Sequence, residues 1–339
     1  LRKFKSASMK KVCLILSVIF LAACDNDLDV IETPKDIPVV YGFLSLSDTA
    51  QYIRVERAFV DEEISALELA QNPDSLYYAD ALVELVRNST GERFPLEMVD
   101  GNTEDYVRDN GAFAQAPNYL YKIKTEDADL AGGEEYTLSI KRNETLPVIE
   151  AETTLLGPTE IKSPNNQNAV ILDFDYVDLN LYIWQASDPA AIHDLYFRFN
   201  YRERTPDTNG EFVQRSALWH VISNYREAET RVDVEVEGLG FYTFLRGAIP
   251  ADPEAVRRFE DLDMIVVSGG EEIAEFVTVG SANLGITSTQ DVPVFSNIPE
   301  GRGIFSSSYT TVLENISLSN ATIDSLKNGM ITGELNFIN

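Results

Sequence analysis

Thiols and imidazoles are nearly absent: the chain has two cysteines, Cys13 and Cys24, and two histidines, His193 and His220. A disulfide framework is therefore excluded. A histidine-based zinc site is poorly supported, because the two imidazoles stand far apart with no metal-ligand spacing. The sequence also lacks a Gly-x-Ser-x-Gly elbow, a Gly-x-x-x-x-Gly-Lys phosphate loop and a His-Glu-x-x-His pair, which removes the commonest readable enzyme classes. Positive charge is scarce: 27 Lys and Arg stand against 55 Asp and Glu, a formal net charge of −28. With no basic footprint for a phosphate backbone, no nucleic-acid partner is expected. No apolar run approaches the roughly 20 residues that a membrane-spanning helix needs.

The first residues do carry a signal. Arg2, Lys3, Lys5, Lys10 and Lys11 precede an apolar run from Val12 to Phe20, followed by Leu21, Ala22, Ala23 and Cys24. That order reads as a secretory signal over 1–23. Leu-Ala-Ala-Cys resembles the bacterial lipobox, which implies cleavage before Cys24 and acyl chains, palmitate among them, on that residue. Each buried methylene contributes roughly 0.8 kcal/mol, so two or three chains tether a protein to the outer membrane almost permanently. Loss of 1–23 removes Cys13 and leaves Cys24 committed to lipid, so stability must come from burial. An acidic tether over 24–36 begins with Asp25, Asn26, Asp27 and Asp29. Its sign argues against an electrostatic membrane patch. It resembles the acidic export signal that follows the lipidated cysteine in Bacteroidota lipoproteins, implying the outer leaflet and a protein facing the cell exterior. An EF-hand reading fails, because its glycine and glutamate positions hold Val30 and Asp36.

Hydrophobic residues make up 44% of the chain and are interleaved with the acids, which indicates a solvated surface around a proper core. A body of this length predicts two domains of roughly 120 to 180 residues each. Short alternating runs at Val39–Leu44, Tyr52–Phe59, Ala81–Arg87, Tyr119–Ile123 and Tyr136–Lys141 predict strands, hence a sandwich over 37–156, immunoglobulin-like or prealbumin-like. The insert Asp61–Tyr78 has helix formers and is a first interface candidate, with a solvated connection as its plain alternative. Gly157, Pro158, Ser163, Pro164, Asn165 and Asn166 read as a linker.

Strands resume at Val170–Tyr176, Leu179–Trp184, Leu195–Arg202, Ser216–Ser223, Arg231–Glu237, Phe241–Arg246 and Asp263–Val267, in a β-rich domain over 165–339. Short helices are expected after Asp252-Pro253, at Glu271–Val279, and at Asn320–Asn328 closed by Gly329. The expected class is thus mainly β: two β-sandwich-like domains with a few short helices in the second.

Several phrases resemble a Bacteroidota outer-membrane lipoprotein family catalogued as domain of unknown function 4249. They are Pro38-Val39-Val40-Tyr41-Gly42, Ala79 to Leu85, Gly132 to Leu138 with Ala151-Glu152-Thr153, Met264 to Val279, and Phe295-Ser296-Asn297-Ile298-Pro299-Glu300-Gly301-Arg302-Gly303-Ile304-Phe305. The last is the most specific, although Pro299 and Arg302 depart from the glycine-rich version. Gly301 and Gly303 would permit positive φ in a tight turn. The resemblance covers most of the chain beyond the signal and implies an accessory role beside a TonB-dependent β-barrel receptor. It carries over no catalytic residue.

The remaining candidates are scattered. Asp173, Asp175 and Asp178 could offer hard oxygen ligands to calcium, but alternation with Leu172, Phe174 and Tyr176 favours a solvated strand face, so no metal is assigned. Tyr182, Trp184, Tyr196, Tyr201, Trp219 and Tyr225 could stack on a sugar or face a partner, against a core role. Asp-Thr-Ala at 48–50 and Asp-Ser-Leu at 74–76 and 324–326 resemble the short O-glycosylation signal of Bacteroidota, with Thr49, Ser75 and Ser325 as acceptors. No cofactor and no enzymatic activity are expected. The expected function is a surface lipoprotein serving as a binding or accessory subunit of a TonB-dependent transporter. A structural or adhesive surface lipoprotein is the alternative, and a carbohydrate-active enzyme built on a carboxylate pair comes third.

Overall fold

Alternation along the chain places Val55 on the dry side of one strand and Val83 and Leu85 on the dry side of another, all essentially unexposed. This pattern, repeated, makes the protein mainly β, at 46% strand and 17% helix. The computed structural model describes residues 36–58, 64–165, 169–227, 229–282 and 294–338. The signal 1–23, Cys24, and Asp25, Asn26, Asp27 and Asp29 lie outside the described residues.

In the first half run β1 (Ile37–Leu44), β2 (Ala50–Ala58), helices α1 (Ala66–Ala70) and α2 (Pro73–Leu76), β3 (Leu82–Arg87) and β4 (Glu92–Pro95). They are followed by β5 (Glu97–Asp100), β6 (Tyr119–Lys124), β7 (Glu135–Lys141) and β8 (Ile149–Thr154). The second half holds β9 (Glu160–Ser163), β10 (Ile171–Leu172), β11 (Leu179–Gln185), β12 (Ile192–Arg204), β13 (Val213–Tyr225), β14 (Arg231–Glu237) and α3 (Gly238–Ala248). It ends with β15 (Val256–Gly269), α4 (Glu271–Ala282), β16 (Arg302–Leu318), α5 (Asn320–Asn328) and β17 (Phe337–Ile338).

A single sheet in the order β13-β12-β15-β16-β1-β2-β6-β5 crosses both halves, with β10 added on β16 and β17 on β15. The four-stranded sheet β4-β3-β7-β8 faces its β1 end, and Val40, Ile53, Val83, Leu85, Leu138 and Phe305 fill the space between. The three-stranded sheet β14-β11-β9 and α3 cover its β12 end over Trp184, Phe197, Phe199, Val234, Phe241 and Met264. Two sandwich-like cores therefore share one sheet. Residues Ile37–Asn339 form one compact unit, and the segment read as a linker starts from buried Leu155, Leu156 and Gly157.

The shared strand is β16, which changes partner along its length. Arg302–Ser307 pairs in parallel with β1, Ser308–Ile316 pairs antiparallel with β15, and Ser317–Leu318 pairs with β10. The register sets Gly303 opposite Val40. At φ +112° a Cβ on Gly303 would stand 1.8 Å from the Val40 carbonyl oxygen. Gly303 is thus a close-approach glycine inside a sheet rather than the tight turn expected from the sequence. Gly301 keeps an ordinary φ but lies against the Pro38 carbonyl, where a Cβ would come within 2.8 Å.

Three expected elements differ. Phe241–Arg246 lies in α3, because Gly238, Phe241, Tyr242 and Leu245 recur at helical spacing and all are buried. Asp252 closes a turn, accepting from Glu254 N at 2.9 Å, and β15 begins four residues later. Burial of Arg257 there, with Nε on Glu203 at 2.8 Å and Nη1 on the Leu335 carbonyl at 2.7 Å, holds the chain extended. The strand expected at Val170–Tyr176 stops at Leu172, because Asp173 turns to receive Ser319 Oγ and Thr322 Oγ1 at the start of α5.

Gly303→Ala is expected to lower the unfolding free energy by at least about 3 kcal/mol in urea titration. Gly91→Ala, at φ +71° with open space around it, should cost only about 1–2 kcal/mol of backbone strain. Equal losses would refute the packing argument at the β1–β16 pair.

Candidate functional site

The six aromatic candidates separate by depth. Tyr182, Trp184 and Tyr201 are core residues, each under 7% exposed. Tyr225 is half-buried on β13, with its hydroxyl 3.4 Å from Glu227. Tyr196 is half-buried and stacks on His220, ring centroids 4.2 Å apart, and both approach Asp194 from outside the sheet.

Trp219 stands apart from these. It lies on β13, an edge strand, in register with Phe197 of β12. Its half-buried indole stacks on Phe244 of α3 at 5.8 Å and 14°. Gly240 on the same helix makes this approach feasible: a Cβ there would press within 3.1 Å of Trp219 Cζ2. The result is a groove of about 640 Å³ lined by Trp219, Leu239, Gly240, Thr243, Phe244 and Gly247, with Glu237 at its rim. Leu239 is 40% exposed within it. Glu237 precedes α3 and makes no side-chain capping bond. An aromatic face beside a carboxylate can take a flat ligand ring and accept its hydroxyl or amine hydrogens. The sequence does not reveal Phe244, Leu239 and the glycines as a group, because the aromatic residues over Phe241–Arg246 predict a strand where α3 forms. The helical spacing of Phe241, Tyr242 and Leu245 was the signal that would have found them.

A second depression, of about 760 Å³, lies against β2 and β6 and is lined by Thr49, Tyr52, Lys122, Lys124 and Leu130, among others. Its charges are spent internally. Glu104 accepts from Tyr52 Oη at 2.9 Å and Lys122 Nζ at 2.5 Å, which holds its carboxyl below the usual range and raises the Lys122 ammonium. The apolar Trp219 groove is the better ligand surface.

The other candidates do not converge. Asp173 accepts from the hydroxyls of Ser319, the N-cap of α5, and Thr322, Asp175 accepts from Val177 N, and the Asp178 carbonyl accepts from Gly238 N. Among the described residues no group of three His, Cys, Asp or Glu side chains could hold a metal. Thr49 is exposed, Ser75 half-buried on α2, and Ser325 half-buried within α5. The insert is tied down by Arg57, which donates to the Ser75 and Asp74 carbonyls, while Leu67 on α1 is 63% exposed.

His193 points inward, opposite to His220. Trp184 Nε1 donates to its Nδ1 at 3.4 Å, and Ser268 Oγ lies 3.0 Å away. Because indole can only donate, Nδ1 is the acceptor and the proton sits on Nε2. Burial pushes the imidazole down to about 4, against the opposing charges of Asp194 and Glu227. The unfolded chain therefore binds this proton more readily than the folded one, and stability is lost as pH falls from 6.5 toward 4. The loss assigned to His193 is about 3 kcal/mol, and His193→Gln should flatten the stability profile between pH 6.5 and 4. An unchanged slope would place the acid sensitivity elsewhere.

No protein family matches the chain, and no curated protein is similar to it. Among solved structures it is similar to the C-terminal globular domain of an oligosaccharyltransferase from Pyrococcus abyssi, at 11% identity and a TM-score of 0.20. That likeness covers 58% of this chain and 38% of the other.

Proposed function

We propose that the protein is a lipoprotein of the outer membrane, held through acyl chains on Cys24 and facing the cell exterior, that works by binding and not by catalysis. Its place is that of an accessory subunit of a TonB-dependent β-barrel transporter. The anchor rests on the order of charge, apolar run and Leu-Ala-Ala-Cys at the start of the chain. The transporter rests on the family that the sequence phrases resemble. The observation that carries the binding role is the Trp219 groove, a shallow, largely apolar surface with an aromatic stack and a carboxylate beside it.

Extraction in mild detergent is expected to retain a large β-barrel protein with the wild-type chain. Trp219→Ala with Phe244→Ala should reduce that recovery, or capture of the transported ligand, by about tenfold, as loss of a central aromatic pair does. Unchanged far-UV circular dichroism would exclude unfolding as the cause. Cys24→Ala should release the protein from membranes, and protease added to intact cells should remove the wild type. A chain extracted without any barrel would overturn the accessory role, and protection from protease would overturn the outward orientation.

A further inference from the structure

Arg204 ends β12 and Arg258 lies on the neighbouring strand β15, both exposed. Their guanidinium carbons lie 5.0 and 4.7 Å from the centre of one ring, that of Phe212. Arg202 stands directly opposite Arg258 in the strand register. Side chains two apart on a strand share a face, so Arg202, Arg204 and Arg258 all project from the outward side of the sheet.

In a chain of net charge −28 these cations should find acids easily. Their neighbours do: Arg202 pairs with Glu260, Arg198 with Asp263, and Arg257 and Arg215 both with Glu203. Arg204 and Arg258 have neither an ion pair nor a hydrogen bond among the described residues. Asp207 and Glu211 of the adjoining turn are exposed and leave both guanidiniums alone. Among the described residues, Glu260 is thus the one carboxylate in an ion pair with any of the three arginines Arg202, Arg204 and Arg258.

Stacking on a ring occupies the flat side of a guanidinium and leaves its N–H edge free, already oriented. Two such cations gathered on one phenyl concentrate positive charge and leave several N–H donors for the oxygens of a phosphate group, the oxyanion best suited to several charged donors at once. We infer that Arg204, Arg258 and Phe212 form a phosphate-binding site, with Arg202 as an auxiliary charge. The site lies outside the Trp219 groove and does not depend on it. Free phosphate and a phospholipid headgroup offer the same chemistry.

The test uses the full chain in nonionic detergent, titrated calorimetrically with inorganic phosphate and, separately, with glycerophosphoglycerol, a soluble phosphodiester headgroup. Chloride at matched ionic strength is the reference. Phosphate is expected to bind above chloride, and Arg204→Gln with Arg258→Gln should weaken it by at least about tenfold. Arg231→Gln with Arg246→Gln removes the same charge at two surface pairs with Asp233 and Glu334, and should leave binding unchanged. Binding of both probes assigns the site to a headgroup, and binding of inorganic phosphate alone assigns it to the free ion. Either result supports the site. Phosphate indistinguishable from chloride overturns it, as does a Gln pair at 204 and 258 that binds like the wild type, or a control pair that loses as much.

Discussion

The parallel pairing of β1 with β16 is the contact on which the architecture depends. It joins strands from opposite ends of the described body and makes one sheet of what would otherwise be two. The spacing between them is set by a missing side chain: Gly303 lets the Val40 carbonyl approach to where a Cβ would stand. Phe305 then turns into the core beneath β3 and β7, while the later residues of β16 are free to pair with β15. The groove at Trp219 and the arginines at Phe212 both lie on the β13-β12-β15 arm of this sheet, which β16 joins to β1.

Between the two cores runs a seam of hydroxyl groups. Glu272 at the start of α4 accepts from Ser306 Oγ at 2.7 Å and Thr153 Oγ1 at 3.1 Å. Ser307 Oγ donates to the Thr154 carbonyl, and Thr311 Oγ1 to the Thr159 carbonyl, at 2.6 Å each. Thr159 meets Ser268, which meets His193. Buried polar groups are tolerated where they find partners, and here Thr153 and Thr154 of the first half find theirs in Glu272 and Ser307 of the second. The seam therefore specifies how the two cores are aligned, where apolar contact alone would permit sliding.

Legibility in the sequence followed the periodicity. β1, β2, β3, β7 and β14 alternate and are readable, as are α4 and α5, the latter closed by Gly329. α3 is not, because Phe241, Tyr242 and Phe244 are strand-favouring residues whose helical spacing is short. β16 escapes because Ser306, Ser307 and Ser308 carry no hydrophobic signal; the burial of Ser306 and Ser307 depends on Glu272 and Thr154, distant in sequence. The candidate site was half visible: Trp219 could be named, but nothing local separates it from Trp184, since the difference is an edge strand against an interior one. Arg204 and Arg258 were invisible as a pair until the register of β12 and β15 set them on one ring.

The β1–β16 pair also orders events in time. Val39 and Arg302 are partners across roughly 260 residues, and closing so long a loop is entropically late and kinetically slow. A chain emerging N-terminus first must keep one side of β1 uncovered until β16 has arrived. An open strand edge of this kind is a template for aggregation. Biogenesis thus requires something that shields that edge during emergence, and the arrival of β16 relieves the need.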